Sequence, residues 1–379
     1  MKIEQRNWTQ TEGWAGSPGN DEGLNAQLVL VFGSTSALTT TPALNDTRTR
    51  YPEAHVVGCS TAGEICGTHV LDDSVVSTAV EFASTEIHCA SVSISGNGGS
   101  FQVGAALARS LPRDGLRHLL VLSDGLHVNG SKLVEGLESG LPSGVTVTGG
   151  LSGDGERFEQ TLVVSDGLPE SGTIGAVGFY GERLKIGFGS LGGWDPFGPE
   201  RRITRSTANV LYELDGRLAL DLYKEYLGEH AEGLPSTGRL FPLSLRTQEG
   251  ETGVVRTIIS IDERENSLTF AGNVPEGAYA RLMMANLDRL VDGSMGAATI
   301  SQNAIGERPA ELAILISCVG RKLVLKQRIE EEVEGVRDVL GDSTPLTGFY
   351  SYGEISPFAP GARCQLHNQT MTITTLSEH

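Results

Sequence analysis

Apolar residues along this chain come in short, dense runs separated by glycine-rich or proline-rich breaks. QLVLVFGS (27–34) is apolar throughout, as a strand buried on both faces would be. TPALNDTRTRYP (41–52) has one proline near its start and another that stops it, which predicts a short helix. HVVGCSTAGEI (55–65) reads as a strand ending in a glycine turn. VVSTAVEFAS (75–84) and EIHCASVSI (86–94) are β-branched and alternating, which predicts an antiparallel pair. A helix (101–112), a strand (118–125) and a second helix (131–142) follow, the last with Leu133, Val134, Leu137 and Leu141 on one face. TVTGGLSGDG (146–155) is a strand running into glycines. TLVVSDG, TIGAVGFYG and RLKIGFGSL (161–191) are spaced like strands of one antiparallel sheet.

The pattern restarts near residue 214. GRLALDLYKEYLGEH (216–230) predicts a helix with Ala219, Tyr223, Tyr226 and Leu227 facing inward. Strands at 241–245, 254–261 and 267–272 come next, then a helix from about Tyr279 to Met295 and the strand ELAILISC (311–318). In the acidic helix after it, Ile329, Val333, Val336, Val339 and Leu340 form the buried stripe. Glu330, Glu331, Glu332 and Glu334 form the solvated side. LTGFYSYGEI (346–355) and QLHNQTMTIT (365–374) are the last strands. The expected fold class is mixed α/β (α+β): a loosely ordered lead-in over 1–24 and two domains, 25–213 and 214–379. Each domain is a largely antiparallel sheet covered by helices.

Charge removes some functions from the picture. The net charge is −18, from 29 basic and 47 acidic residues, and no basic stripe exists to displace counterions from phosphates. Nucleic acid is therefore not an expected partner. No run approaches the length of a membrane helix, and the polar amino terminus has no apolar signal core. The five cysteines form no disulfide framework. A cytoplasmic protein with reduced thiols and no membrane insertion is expected.

The 49 glycines gather at strand ends. Gly58, Gly63, Gly67, Gly125, Gly130, Gly149, Gly150, Gly153 and Gly155 mark three such junctions, where a pocket is expected. GGLSGDG is not a dinucleotide fingerprint and no G-K-[ST] occurs. VVGCSTAGEI (56–65) and LTGFYSYGEI (346–355) align without gaps, with Gly58/Gly348, Gly63/Gly353, Glu64/Glu354 and Ile65/Ile355 coinciding. That echo suggests two related domains facing each other, with the two glutamates near their junction.

GCSTAGEI, LSDG, GGLSGDG, ELDG, SCVGRKLVL, GFYSYGEISP and LHNQT stand in one order and spacing that resembles the FIST family (FIST N plus FIST C), over about residues 27–375. The resemblance implies a bacterial intracellular sensory module that binds small ligands such as amino acids. Its output would pass to a sensor histidine kinase, a cyclic-di-GMP enzyme or a chemotaxis protein. No output domain is present here, so a separate partner is implied. Some standalone members look like haem proteins that sense nitric oxide and regulate a kinase.

The ligand-binding candidates are Cys59, Ser60, Thr61, Glu64, Asp124, Asn129, Gly150, Asp154, Arg321, Tyr350, Tyr352 and Glu354. Arg321 is able to grip an amino-acid carboxylate bidentately, with an acidic residue on the amine. The plainer readings are that Arg321 pairs with a structural carboxylate and that Asp124 caps the helix after it. His127 and His367 are the possible haem ligands, and any haem is non-covalent because C-x-x-C-H is absent. His55, Cys59, Cys66 and His69 are potential metal ligands at a spacing unlike the usual zinc patterns. A thiol-dependent enzyme would need Cys59 or Cys318 beside a base such as His55 or His367. An interaction scaffold without a ligand is the remaining rival. The expectation is a binding protein rather than an enzyme, with no cofactor certain.

Overall fold

The computed structural model describes residues 1–16, 24–95, 98–248, 253–358 and 361–378. Three six-stranded sheets are built on one plan. Each has a central parallel pair: Leu28–Gly33 with His55–Ser60, Leu116–Ser123 with Thr146–Leu151, and Leu312–Cys318 with Leu346–Ser351. A parallel pair needs a crossover, and the helices Ala43–Arg50, Gly130–Gly140 and Ile329–Leu340 lie in these connections. Antiparallel to the first strand of each pair runs Ser74–Glu81, Thr173–Tyr180 or Met371–Glu378. Lys2–Thr9, Glu86–Ser93 and Leu184–Leu191 pair with those strands in turn.

The strand beside the second member of each parallel pair comes from another unit. Glu64–Cys66 of the first unit pairs with Leu346–Ser351 in the third sheet. Gly353–Pro357 of the third unit pairs with Thr146–Leu151 in the second sheet. Val163–Ser165 of the second unit pairs with His55–Ser60 in the first. The exchange closes into a ring. Its centre is tied by three equivalent backbone hydrogen bonds: Ala62 N to Tyr350 O (2.8 Å), Tyr352 N to Leu151 O (3.1 Å) and Gly153 N to Ser60 O (2.9 Å).

This plan explains why the central strands read as unbroken apolar runs. One face of each looks into a core shared by all three sheets, with Leu30, Phe32, Leu120, Leu122, Ile314 and Ile316 among its members. The opposite faces pack under the crossover helices, as Val29 and Val31 do under Leu38 and Leu44. Residues Asp195–Met284 leave this core to form an eight-stranded sheet with its own apolar cluster and the helix Ala219–Leu227. This insert falls between the strand Leu184–Leu191 and the helix Leu287–Ile305.

The mixed α/β class holds, with sheets flanked by helices. Strands from both sides of residue 214 share the second and third sheets. Several local expectations are corrected. Residues 75–84 and 86–94 do not form a hairpin: Ser74–Glu81 lies in the first sheet and Glu86–Ser93 in the second. The strands within 161–191 belong to three different sheets, because short loops here carry the chain from one sheet to the next. The lead-in contains the strands Lys2–Thr9 and Gly13–Gly16, with Trp8 buried opposite Val75 in register. Part of it, 17–23, lies outside the described residues. Tyr279–Met284 is a strand and the helix begins at Leu287.

Neighbouring backbones come very close across the parallel pairs. A Cβ at Gly58, Gly149 or Gly348 would sit 1.8, 1.9 or 1.8 Å from the carbonyl oxygen of Val31, Val121 or Leu315. These are the register partners across the three parallel pairs. Gly58→Ala and Gly348→Ala should each destabilise by at least about 3 kcal/mol in urea denaturation, since backbone must move. Gly67→Ala, where the space is open but φ is +61°, should cost only about 1 kcal/mol.

Candidate functional site

A cavity of about 820 Å³ opens between the insert and the carboxyl ends of the central strands in the second and third sheets. Its core-side wall is the loop Gly125–Gly130, with Leu151 and Tyr352, and the start of the short helix after Cys318. The insert supplies Thr257–Ser260, Phe270–Gly272 and the Pro235–Arg239 turn. Most of the wall is apolar, with Leu126, Val128, Ile258 and Leu323 prominent. Phe158 stacks on Tyr352 at 4.5 Å and 17°. Side chains bridge core and insert: Asn129 Nδ2 donates to Asn273 Oδ1 (3.0 Å) and Arg239 Nη1 to Glu156 Oε2 (2.9 Å).

Of the ligand-binding and haem candidates, His127, Asn129 and Tyr352 stand on this wall. Asn129 also caps the helix Gly130–Gly140, accepting from Lys132 N. Asp124 lies buried beneath the loop. Burial pushes its carboxyl up, but N–H bonds from Gly172, His127 and Leu126 outweigh that and leave it below the usual carboxylate range. The same carboxylate meets His127 Nδ1 at 3.1 Å. Asp154 accepts from the backbone of Phe158, Glu159 and Gln160 and from the Tyr352 hydroxyl, so it shapes the wall without lining it.

The remaining candidates sit elsewhere. Cys59 is in the shared apolar core, where burial drives its thiol pKa well upward. Ser60 Oγ accepts from Leu162 N, and a Cβ on Gly150 would meet Ile316 at 2.8 Å. Thr61 donates to Glu64, and Ser351 Oγ to Glu354 (2.7 Å), the same contact in two units.

Arg321 is fully buried and committed. Its Nε and Nη2 donate to Glu332 (2.9 and 2.7 Å), and further N–H groups reach the carbonyls of Gly192 and Leu290. Tyr350 donates to the same glutamate (2.7 Å). A grip by Arg321 on a ligand carboxylate is therefore overturned, and Glu332 belongs to the interior rather than the solvated side of its helix. A charge of one sign needs a buried partner of the other.

For haem, His127 fits the chemistry. It is the histidine on the cavity wall among the described residues, and a carboxylate on Nδ1 leaves Nε2 for a metal. His367 does not fit: it is buried off the wall, and Nε2 contacts Ser356 O at 2.7 Å. Cys318 reaches the cavity, yet burial, then Glu354, push its thiol up and keep it protonated. The quartet of His55, Cys59, Cys66 and His69 does not assemble. His55 lies instead near Cys89 and Asp166, with His69 beside Glu330.

Sequence reasoning passed over Thr257, Arg239, Glu156, Phe158 and Asn368, all on the wall. Of their surroundings only LHNQT carries a sequence signal, and its histidine, His367, outweighs Asn368 in it.

Two predictions follow from the buried charges. Arg321→Met should destabilise by about 3–5 kcal/mol by stranding Glu332, with much of the loss recovered when Glu332→Leu is added. Denaturation of the two variants checks this. Glu64 and Glu354 are raised by burial from 4.5 to about 7 and about 8. The folded state thus holds protons that the unfolded chain has released, and stability falls as pH rises through that window. His118 and His367, lowered by burial to about 3 and about 4, act oppositely, but only below 6.5. Stability should therefore decline from about pH 6.5 to 8 by roughly 1 kcal/mol per unit. Glu64→Gln with Glu354→Gln should flatten that decline in pH-dependent melts.

Family models match almost end to end: the FIST N domain over residues 27–217 and the FIST C domain over 219–357. No curated protein matches the chain. Among solved structures, cyanuric acid hydrolase from A. caulinodans aligns at 8% identity and a TM-score of 0.38, covering 100% of this chain and 98% of that one. A ring of three strand-exchanging units with an inserted sheet is how this sequence folds, and its two matched segments show that the chain belongs to the FIST family.

Proposed function

We propose that this chain is a small-ligand-binding sensor, that its ligand occupies the cavity between insert and core, and that it signals through a separate partner. FIST domains are associated with small-ligand sensing in signalling. The observation that carries the reading is the cavity itself: about 820 Å³, largely apolar, and walled by core and insert, which meet through polar bridges and through an apolar cluster around Met283, Leu290, Val324 and Leu325. Ligands settle in such concave, mostly apolar sites with a few placed polar groups. A ligand that touches both walls binds the closed arrangement better than an open one. Swinging the balance from 1:99 to 99:1 needs a preference of about 10⁴-fold.

The partner fits one of three classes: a sensor histidine kinase, a cyclic-di-GMP enzyme or a chemotaxis protein. Binding rather than catalysis is favoured because burial and Glu354 push the Cys318 thiol away from the thiolate that a nucleophile needs. No helix among the described residues is long and apolar enough to cross a membrane.

A second reading, a haem-based nitric-oxide sensor, is favoured by His127 with Asp124 behind it. Bound haem would supply the iron that meets the gas. His127 would hold it, and Asp124 would fix the imidazole's orientation.

Thermal-shift screening of small metabolites and haem on the wild type and on Ile259→Trp tests both readings. Ile259 is half exposed on the cavity wall, so the bulkier ring blocks the space without disturbing the core. A stabilising compound whose effect disappears in Ile259→Trp is the expected result. Hits that persist unchanged would place binding elsewhere. A Soret band lost in His127→Ala would select the haem reading.

A further inference from the structure

Buried polar atoms without a hydrogen-bond partner are concentrated around one turn. Among the described residues they include His367 Nδ1, Asn368 Nδ2 and Oδ1, and Gln369 Oε1, on three consecutive positions. Each such atom is costly when it meets neither protein nor water. Thr257 Oγ1, on the insert, is a further case. Asn368 and Thr257 both belong to the cavity wall, one from the core and one from the insert.

Asn368 is fully buried, and both ends of its carboxamide are unpaired. A carboxamide offers a donor and an acceptor side by side. The group that satisfies both at once presents an N–H next to a C=O on the same edge. A carboxylate would meet the amide nitrogen but set its second oxygen against Oδ1. An ammonium would do the reverse.

The charges on the wall point the same way. Arg239 is held by Glu156 (2.9 Å), and His127 by Asp124 (3.1 Å). A zwitterion entering this cavity would face apolar side chains and charges already paired, and desolvating it there is expensive.

We infer that the ligand is an uncharged molecule with an apolar body and a cis-amide edge, such as a lactam, imide or cyclic ureide, recognised by Asn368 with Thr257 across from it. This rests on the cavity being the sensory site. It replaces the amino-acid ligand that a free Arg321 would have served.

Four probes of similar size isolate the polar edge: ε-caprolactam, cyclohexanecarboxylate, cyclohexylammonium and methylcyclohexane. Their binding to the full chain is measured by ligand-observed NMR titration, with folding of each variant checked by its melting curve. Caprolactam should bind the wild type at least about tenfold more tightly than the other three, and Asn368→Leu should erase that margin. Asn368→Asp should shift the preference towards cyclohexylammonium, because a carboxylate only accepts.

Caprolactam binding that survives Asn368→Leu unchanged, equal binding of a charged probe, or no binding of caprolactam overturns the inference. In each case the sensory reading stands if metabolite hits are still lost in Ile259→Trp. It falls separately if they are not.

Discussion

Everything in this molecule depends on closing three sheets around one apolar core without leaving unpaired edges at the centre. The solution is exchange: each unit passes the segment after its second parallel strand to another unit's sheet. Within each parallel pair the backbones meet at distances no side chain tolerates, which is why Gly58, Gly149 and Gly348 occupy equivalent places. The three central hydrogen bonds tie Ala62, Gly153 and Tyr352 into that ring. The third of these is also a cavity residue. The cavity wall is thus hung directly on the most constrained part of the fold.

The sequence made much of this readable, but not its plan. Unbroken apolar runs located the central strands, and glycines located their ends. The echo between 56–65 and 346–355 is real, as Thr61–Glu64 and Ser351–Glu354 make the same contact. Its partners pair directly, with Phe349 opposite Glu64. A third member, TVTGGLSGDG, is harder to see because it has Gly150 where the others have Cys59 and Phe349, and Gly155 where they have Glu64 and Glu354. Strand exchange was invisible for a plain reason: short loops between alternating strands look like hairpins whether or not the strands pair.

Site reasoning failed where burial decides chemistry. Arg321 and Glu332 carry charges that a sequence reading puts in contact with ligand or solvent, yet both are fully buried and bonded to each other. Asn368 looked unremarkable between His367 and Gln369, and its significance lies in what it does not touch. Neither fact is encoded in spacing. His127 and Asn129 were legible because a Gly–x–x–x–x–Gly loop at a strand end is a common place for a ligand to rest.

The central claim is that a ligand joins the insert to the ring. Hydrogen–deuterium exchange with and without a confirmed ligand tests it most directly. The account predicts slowed exchange on both walls together, at 125–130 and 318–323 of the core and at 257–260 and 270–272 of the insert. Protection limited to one body, or lying away from these segments, would contradict it.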